Sequence, residues 1–205
     1  SLDEAYLDVT FNKKNNPSAT NIAKEIRKKI FEKTGLTASA GVSVNKFIAK
    51  IASDYKKPNG QTTIKPNKII PFLDSLDIRK FHGIGKVTAE KMYALGIFTG
   101  KDLREKSLLF LQNHFGNSGL YYYEIARGIH RSPVNPVRIA KSIGVERTFE
   151  HDERHQTHLL TPLEMLSKEL EQRLKKRNLS GRTVTLKIKY SDFTTQTRSK
   201  TLAKF

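Results

Sequence analysis

A chain of 205 residues, 37% of them hydrophobic, is long enough for one large domain or two to three small ones and apolar enough to bury a core. No apolar run approaches membrane-spanning length, no secretory signal is visible, and the absence of cysteine excludes disulfides and thiolate metal sites, a combination that fits the cytoplasm. The net charge of +17, from 37 Lys and Arg against 20 Asp and Glu, points to a polyanion; nucleic acid comes before an anionic membrane, because no basic amphipathic helix with aromatic anchors occurs.

The opening stretch, SLDEAYLDVT, sets Asp3 and Glu4 side by side ahead of Ala5, Tyr6 and Leu7, and residues 4–11 read as a strand. Adjacent strand residues face opposite ways, so both carboxylates could serve one ion only at a strand start or a turn. Hard oxygen ligands suit Mg²⁺. Two carboxylates are too few for a two-metal phosphoryl-transfer site, so a third ligand would have to come from elsewhere. Solvated edge residues are the alternative reading.

A helix is expected next, over SATNIAKEIRKKIFEKTG, capped by Ser18 or Thr20, faced by Ile22, Ile26 and Ile30, and ended by Gly35. LTASAGVS reads as a small-residue strand. NKFIAKIASDY reads as an amphipathic helix with Phe47, Ile48, Ile51, Ala52 and Tyr55 inward. The turn KKPNGQ then leads into a short strand and carries Lys56 and Lys57; these are solvated lysines, or one of them meets a nucleoside triphosphate as a point charge.

Residues 73–130 read as short helices with short loops. They carry only +2, against +7 for residues 1–72 and +8 for residues 131–205, so this segment binds little or binds through its backbone. The run FHGIGKVTAEKMYALGI has the pattern of a helix-hairpin-helix element. Gly83 and Gly85 allow a tight turn, the amides that follow can cradle a phosphate with Lys86 beside them, and Ile84, Val87, Met92, Leu95 and Ile97 frame the turn. Such an element grips a DNA backbone without reading sequence. FGNSGLYYYEIARGI is a looser second copy or plain helix packing.

PVNPVR marks residues 131–141 as a linker. SIGVERTFEH suggests a strand, and LTPLEMLSKELEQRLKKRN a helix striped by Leu163, Leu166, Leu170 and Leu174. GRTVTLKIKYSDF alternates. Val184, Leu186, Ile188 and Tyr190 are expected to bury against that helix, while Thr183, Thr185, Lys187 and Lys189 form a solvated or phosphate-facing surface with Arg138, Lys141 and Arg147 nearby. A chain that opens at Ser1 and closes on TLAKF is expected to be a piece of a longer one.

Taken in order, SLDEAYLDVT, TASAGVSVNKFIAKIASDYKKPNGQ, FHGIGKVTAEKMYALGI and KSIGVERTF resemble Y-family translesion DNA polymerases, most nearly the bacterial DNA polymerase IV type. The resemblance covers essentially the whole chain, and its first two motifs are specific to the family. It implies an α/β (α+β) architecture: residues 1–72 as the C-terminal part of a palm, 73–130 as a thumb, and 142–205 as a partial little finger. It implies that Asp3 and Glu4 are two of three metal-binding carboxylates, with Glu4 tied to activating the primer 3′-hydroxyl, and that Lys57 contacts the incoming deoxynucleoside triphosphate. Two Mg²⁺ would serve an intact parent acting on primer-template DNA. The strand with the third carboxylate, the fingers and the tail that binds the sliding clamp lie outside this sequence, so the isolated chain is expected to bind DNA but not to extend it. The alternative is a non-catalytic helix-hairpin-helix DNA-binding module. An RNA-binding reading lacks an aromatic-rich strand motif for stacking bases.

Overall fold

The structure is a computed structural model and describes residues 3–137 and 139–203. The chain divides into two compact units, residues 1–136 and 137–205. Among the described residues no helix is long and apolar enough to cross a membrane.

The first unit opens on residues 4–11, which form no strand, contrary to the reading of the sequence. Their alternation makes them competent for a strand, but a strand exists only where a neighbour pairs with it. Helix α1 (Ala19–Thr34) follows, with the Ser18 side chain accepting from the Asn21 amide and Gly35 closing it at φ 71. None of its residues is buried, so the isoleucine stripe lies only half-covered. Strand β1 (Ala40–Val42) and strand β2 (Gln61–Thr63) pair in parallel, Gly41 opposite Thr62. Helix α2 (Lys46–Tyr55) connects them and buries Phe47, Ile48, Ile51 and Ala52. Tyr55 was expected inward but is 58% exposed, its ring meeting the edge of Phe72 at 5.4 Å.

Asn45 joins α2 to a distant part of this unit. Its Oδ1 accepts from the Ile48 amide at 3.0 Å, and its Nδ2 donates to the Gly128 carbonyl at 2.9 Å. Asn45→Ala should therefore lower stability by about 2 kcal/mol, one cap and one buried-end hydrogen bond together. Asn45→Asp keeps the cap and should lose only the second part. Urea midpoints of the three proteins check this; an Asn45→Ala variant as stable as the parent would remove the bridge from the account.

The helical half of the unit comprises α3 (Ile69–Asp74), α4 (Lys86–Ala94), α5 (Gly100–Glu105), α6 (Leu108–Phe115) and α7 (Ser118–Ala126). Thr99 and Asp102 cap α5 reciprocally, and Arg104 holds Asp74 of α3 through two bonds of 2.8 and 2.7 Å. One core runs through α2 to α7, with Phe47, Ile48, Leu73, Ile78, Phe81, Met92, Ile97, Leu103, Leu111 and Ile125 at its centre.

In the second unit, α8 (Gln156–Lys176) begins earlier than the sequence suggested and takes Pro162 within its run. Strand β3 (Thr183–Lys189) pairs antiparallel with β4 (Thr195–Thr201). No strand forms over 142–149, where one was expected. The apolar face of β3 is not buried against the helix either: Val184 is 58% exposed and Leu186 42%, and α8 has no buried residue. Side-chain bonds link these elements instead. Arg147 pairs with Glu169 of α8 at 2.6 Å, Arg173 of α8 donates to the Gly144 carbonyl at 3.0 Å, and Lys187 of β3 pairs with Glu146.

Candidate functional site

Asp3 lies in a bend, and Glu4 follows it; both are exposed. Helix α2 brings Lys50 up to Glu4, at 2.8 Å, and the same ammonium meets Asp54 one turn on, at 3.0 Å. Asp54 also receives Lys57, at 2.5 Å. Glu4, Lys50, Asp54 and Lys57 thus form one alternating chain of charge that joins the opening carboxylates to the turn after α2. The hydrogen bond to Glu4 pushes the Lys50 ammonium above its usual range; partial burial works against this and Asp54 adds to it. Burial would raise the Asp54 carboxyl, but the bonds from Lys57 and Lys50 outweigh it and hold the group low. Lys50 and Asp54 are therefore both charged at neutral pH. Sequence reasoning singled out Glu4 and Lys57 and missed Lys50 and Asp54. The available signal was their i, i+4 spacing on α2, which lays opposite charges on one face.

Carboxylate oxygens are the donors that hard divalent cations take. Among the described residues, however, no three or more His, Cys, Asp or Glu side chains converge as a metal cluster. Asp3 and Glu4 fit part of a ligand set in kind but not in number, and the cation beside Glu4 here is the Lys50 ammonium.

The hairpin lies in the same unit. A 3-10 turn at Ile78–Lys80 leads into it, and the Ile84 amide bonds back to the Phe81 carbonyl. Gly83 sits at φ 91, where a side chain would be strained, and a Cβ there would stand 3.0 Å from the Tyr121 hydroxyl. Gly85 is the N-cap of α4. It has no capping side chain, and nothing lies within 4 Å of where its Cβ would be. The first amides of α4 therefore open outward beside Lys86, whose nearest carboxylate, Glu90, is 4.0 Å away. Ile84, Met92 and Ile97 are buried as expected, but Val87 is 81% exposed on the open side of the turn. The looser copy around Gly116 and Gly119 is helix packing. A Cβ on Gly119 would lie 2.5 Å from the Gln112 amide nitrogen, so this glycine is needed for the close crossing of α6 and α7.

In the second unit Lys187 and Lys189 share one face of β3. Lys187 is paired with Glu146, and Lys189 lies over the Phe193 ring at 4.3 Å. Lys141 is exposed, Arg147 is held by Glu169, and Arg138 lies outside the described residues.

Fold and site together define an α+β chain with a helix-hairpin-helix turn in the same unit as a carboxylate–lysine network. Three models of one family match it in succession: the impB/mucB/samB family over residues 1–54, the IMS family HHH motif over 66–97, and the impB/mucB/samB family C-terminal domain over 140–205. The chain belongs to the impB/mucB/samB family, and its relatives are Y-family polymerases of the DNA polymerase IV type. A protein named DNA polymerase IV from Leptospira interrogans is 55% identical over 203 residues, which are 99% of this chain and 56% of that protein. One from Listeria monocytogenes is 50% identical over 205 residues, all of this chain and 58% of that protein. A solved Y-family DNA polymerase chimera superposes with a TM-score of 0.86 at 31% identity, over all of this chain and 59% of the chimera. The chain spans somewhat more than half the length of the relatives it matches.

Proposed function

We propose that this chain is part of a lesion-bypassing, DNA-directed DNA polymerase that adds deoxynucleotides to a primer end. The observation that carries this reading is the 55% identity, over nearly the whole chain, to a protein named DNA polymerase IV. In this reading residues 1–72 belong to a palm, 73–130 to a thumb and 142–205 to a little finger, with 131–141 between them. Asp3 and Glu4 would hold Mg²⁺ together with a third ligand outside the described residues, and two such ions, when bound, would stabilise the charge that develops on the transferring phosphoryl group. Lys57 would leave Asp54 for the incoming triphosphate. Lys50 would then keep Asp54 neutralised, so the exchange strands no carboxylate.

The hairpin would hold the duplex by its backbone, with the open amides of α4 and Lys86 on a phosphate. Lys141, Arg147, Lys187 and Lys189, with Arg138, would add the sequence-independent attraction of a basic surface and a steep salt dependence. Primer-template DNA and deoxynucleoside triphosphates are the partners, a sliding clamp serves the longer polymerase, and the cytoplasm is the setting.

Two assays test this. Primer extension by a polymerase that carries this sequence should fall by at least about 10³-fold in Asp3→Ala/Glu4→Ala, whereas duplex affinity measured by fluorescence anisotropy should change little. Robust Mg²⁺-dependent extension by the double variant would overturn the site assignment. An unaltered chain that fails to bind duplex DNA at low salt would overturn the DNA-handling reading as a whole.

A further inference from the structure

Between the hairpin and the opening carboxylates the first unit holds a cavity of about 180 Å³, lined by Tyr6, Lys46, Phe47, His82 and His130. These residues are brought together by four separate segments. Tyr6 follows Glu4 by two positions, Lys46 is the first residue of α2, His82 immediately precedes Gly83 of the hairpin, and His130 follows α7. Isolated histidines at positions 82 and 130 carry no spacing signal, and nothing in their local surroundings is a reason to pair them. The fold supplies it. Asn45 ties the start of α2 to the Gly128 carbonyl, two residues before His130, and the Tyr121 hydroxyl donates to the His82 carbonyl at 3.1 Å.

The lining has one chemical sense. Lys46 is a cation, with its ammonium 5.8 Å from the centre of the Tyr6 ring. Tyr6 offers a hydroxyl, and each imidazole offers one N–H donor when neutral and two when protonated. No carboxylate lines the cavity. The His130 ring stacks on Phe47 with centroids 6.3 Å apart, and its Nδ1 is buried without a hydrogen-bond partner. A buried ring nitrogen without a partner is a cost that a ligand can relieve.

We propose that this cavity is a seat for a backbone phosphodiester of the bound strand, contacted by His82 and His130, with a proton taken up on His130 as the phosphate enters. The inference rests on the DNA-handling reading above and adds to it a residue-specific site beside the hairpin and a linkage of grip to pH. Its lining fits: His82 adjoins Gly83 of the hairpin and Tyr6 stands two residues from Glu4, so a strand held at the hairpin and ending at Glu4 would have a phosphate within reach of both. Without the phosphate, burial first, and then the positive charges of Lys46 and His82, lower the His130 pKa; Glu124 opposes them. At neutral pH the imidazole is therefore uncharged, and an incoming phosphate supplies the negative charge that makes protonation favourable.

The test is the affinity of the whole chain for a labelled primer-template duplex, measured by anisotropy from pH 8 to pH 6 over a range of salt. Tighter binding at the lower pH is expected, together with a salt slope steeper by about one for a histidine that becomes a phosphate contact. His82→Gln/His130→Gln should abolish the steepening and bind about 5-fold more weakly at pH 6, while staying close to the unaltered chain at pH 8. The other four histidines are retained as an internal control. His82 is exposed, so His82→Gln alone keeps the fold and should remove part of the effect even if the double variant does not fold. A double variant that keeps the full pH dependence overturns the inference, as does duplex binding that is independent of pH in the unaltered chain. Titration of His130 by inorganic phosphate alone, followed by its ring proton resonance and unaffected by duplex, would make this a free-anion site and overturn it too. Failure to bind duplex at any pH is a different result, because it removes the underlying reading along with the seat.

Discussion

Gly41→Ala should lower the stability of the first unit by about 3 kcal/mol or more, a large share of the 5–15 kcal/mol that about spans the stability of natural domains. Gly41 lies in β1 opposite Thr62, and α2 lies directly against it. A Cβ there would be 1.9 Å from the Ala49 carbonyl oxygen and 2.4 Å from the Ser53 amide nitrogen. Both obstacles are helix backbone, so no side-chain rotation relieves the clash. Either α2 lifts from the sheet or β1 leaves β2. Lifting α2 would also draw Lys50 and Asp54 away from Glu4 and Lys57, so loss of structure and loss of the site should coincide. Thermal unfolding followed by circular dichroism measures the effect, with Gly85→Ala, where nothing lies within 4 Å, as the control. If Gly41→Ala melts with the unaltered chain, the close approach of α2 to β1 does not constrain this unit.

The second large effect separates stability from binding. Gly85→Asp should raise the stability of α4 and weaken its hold on DNA. Gly85 is an N-cap with extended backbone, open space and no capping side chain. Aspartate is favoured there because its carboxylate accepts from the first free amides and lies at the positive end of the helix, a gain over glycine of a few tenths of a kcal/mol, roughly. Those amides are the ones proposed to receive a phosphate. Filling them with a carboxylate sets like charges against each other, and affinity for duplex should fall by about 10-fold or more. Paired melting and anisotropy curves read both quantities. A variant that is both more stable and undiminished in binding would show that DNA does not use this helix terminus.

Which features were legible in the sequence follows from how local their causes are. The ends of α1 were readable because Ser18 and Gly35 act within a turn of where they stand. The buried face of α2 was readable for the same reason, since Phe47, Ile48, Ile51 and Ala52 declare it by spacing. Strands depend on a partner elsewhere, and there the reading failed in both directions. Residues 4–11 and 142–149 alternate suitably and form no ladder. TQTRSKT has no apolar alternation, yet it forms β4 by pairing its hydroxyls across the hairpin, Thr201 with Thr183 at 2.9 Å and Ser199 with Thr185 at 2.8 Å. Within the site, Glu4 and Lys57 were visible as motif residues. The Lys50–Asp54–Lys57 part of their connection is local and was readable from spacing, but the link from Lys50 to Glu4 was not, because it depends on the path the chain takes before α2.

The β3–β4 hairpin described above has every residue exposed, and α8 buries none. Two strands without a covering layer are held chiefly by their ladder and a few hydroxyl pairs, an arrangement that is marginal in water. Amide hydrogen exchange should therefore divide this chain by rate. Amides of β3 and β4 would open locally and exchange early, while those of α2, α4 and α7, around Ile48, Met92 and Ile125, would exchange only when the first unit opens as a whole. The chain thus pairs a slowly opening body with a readily opening one, and only the latter can reshape itself cheaply when something binds to it.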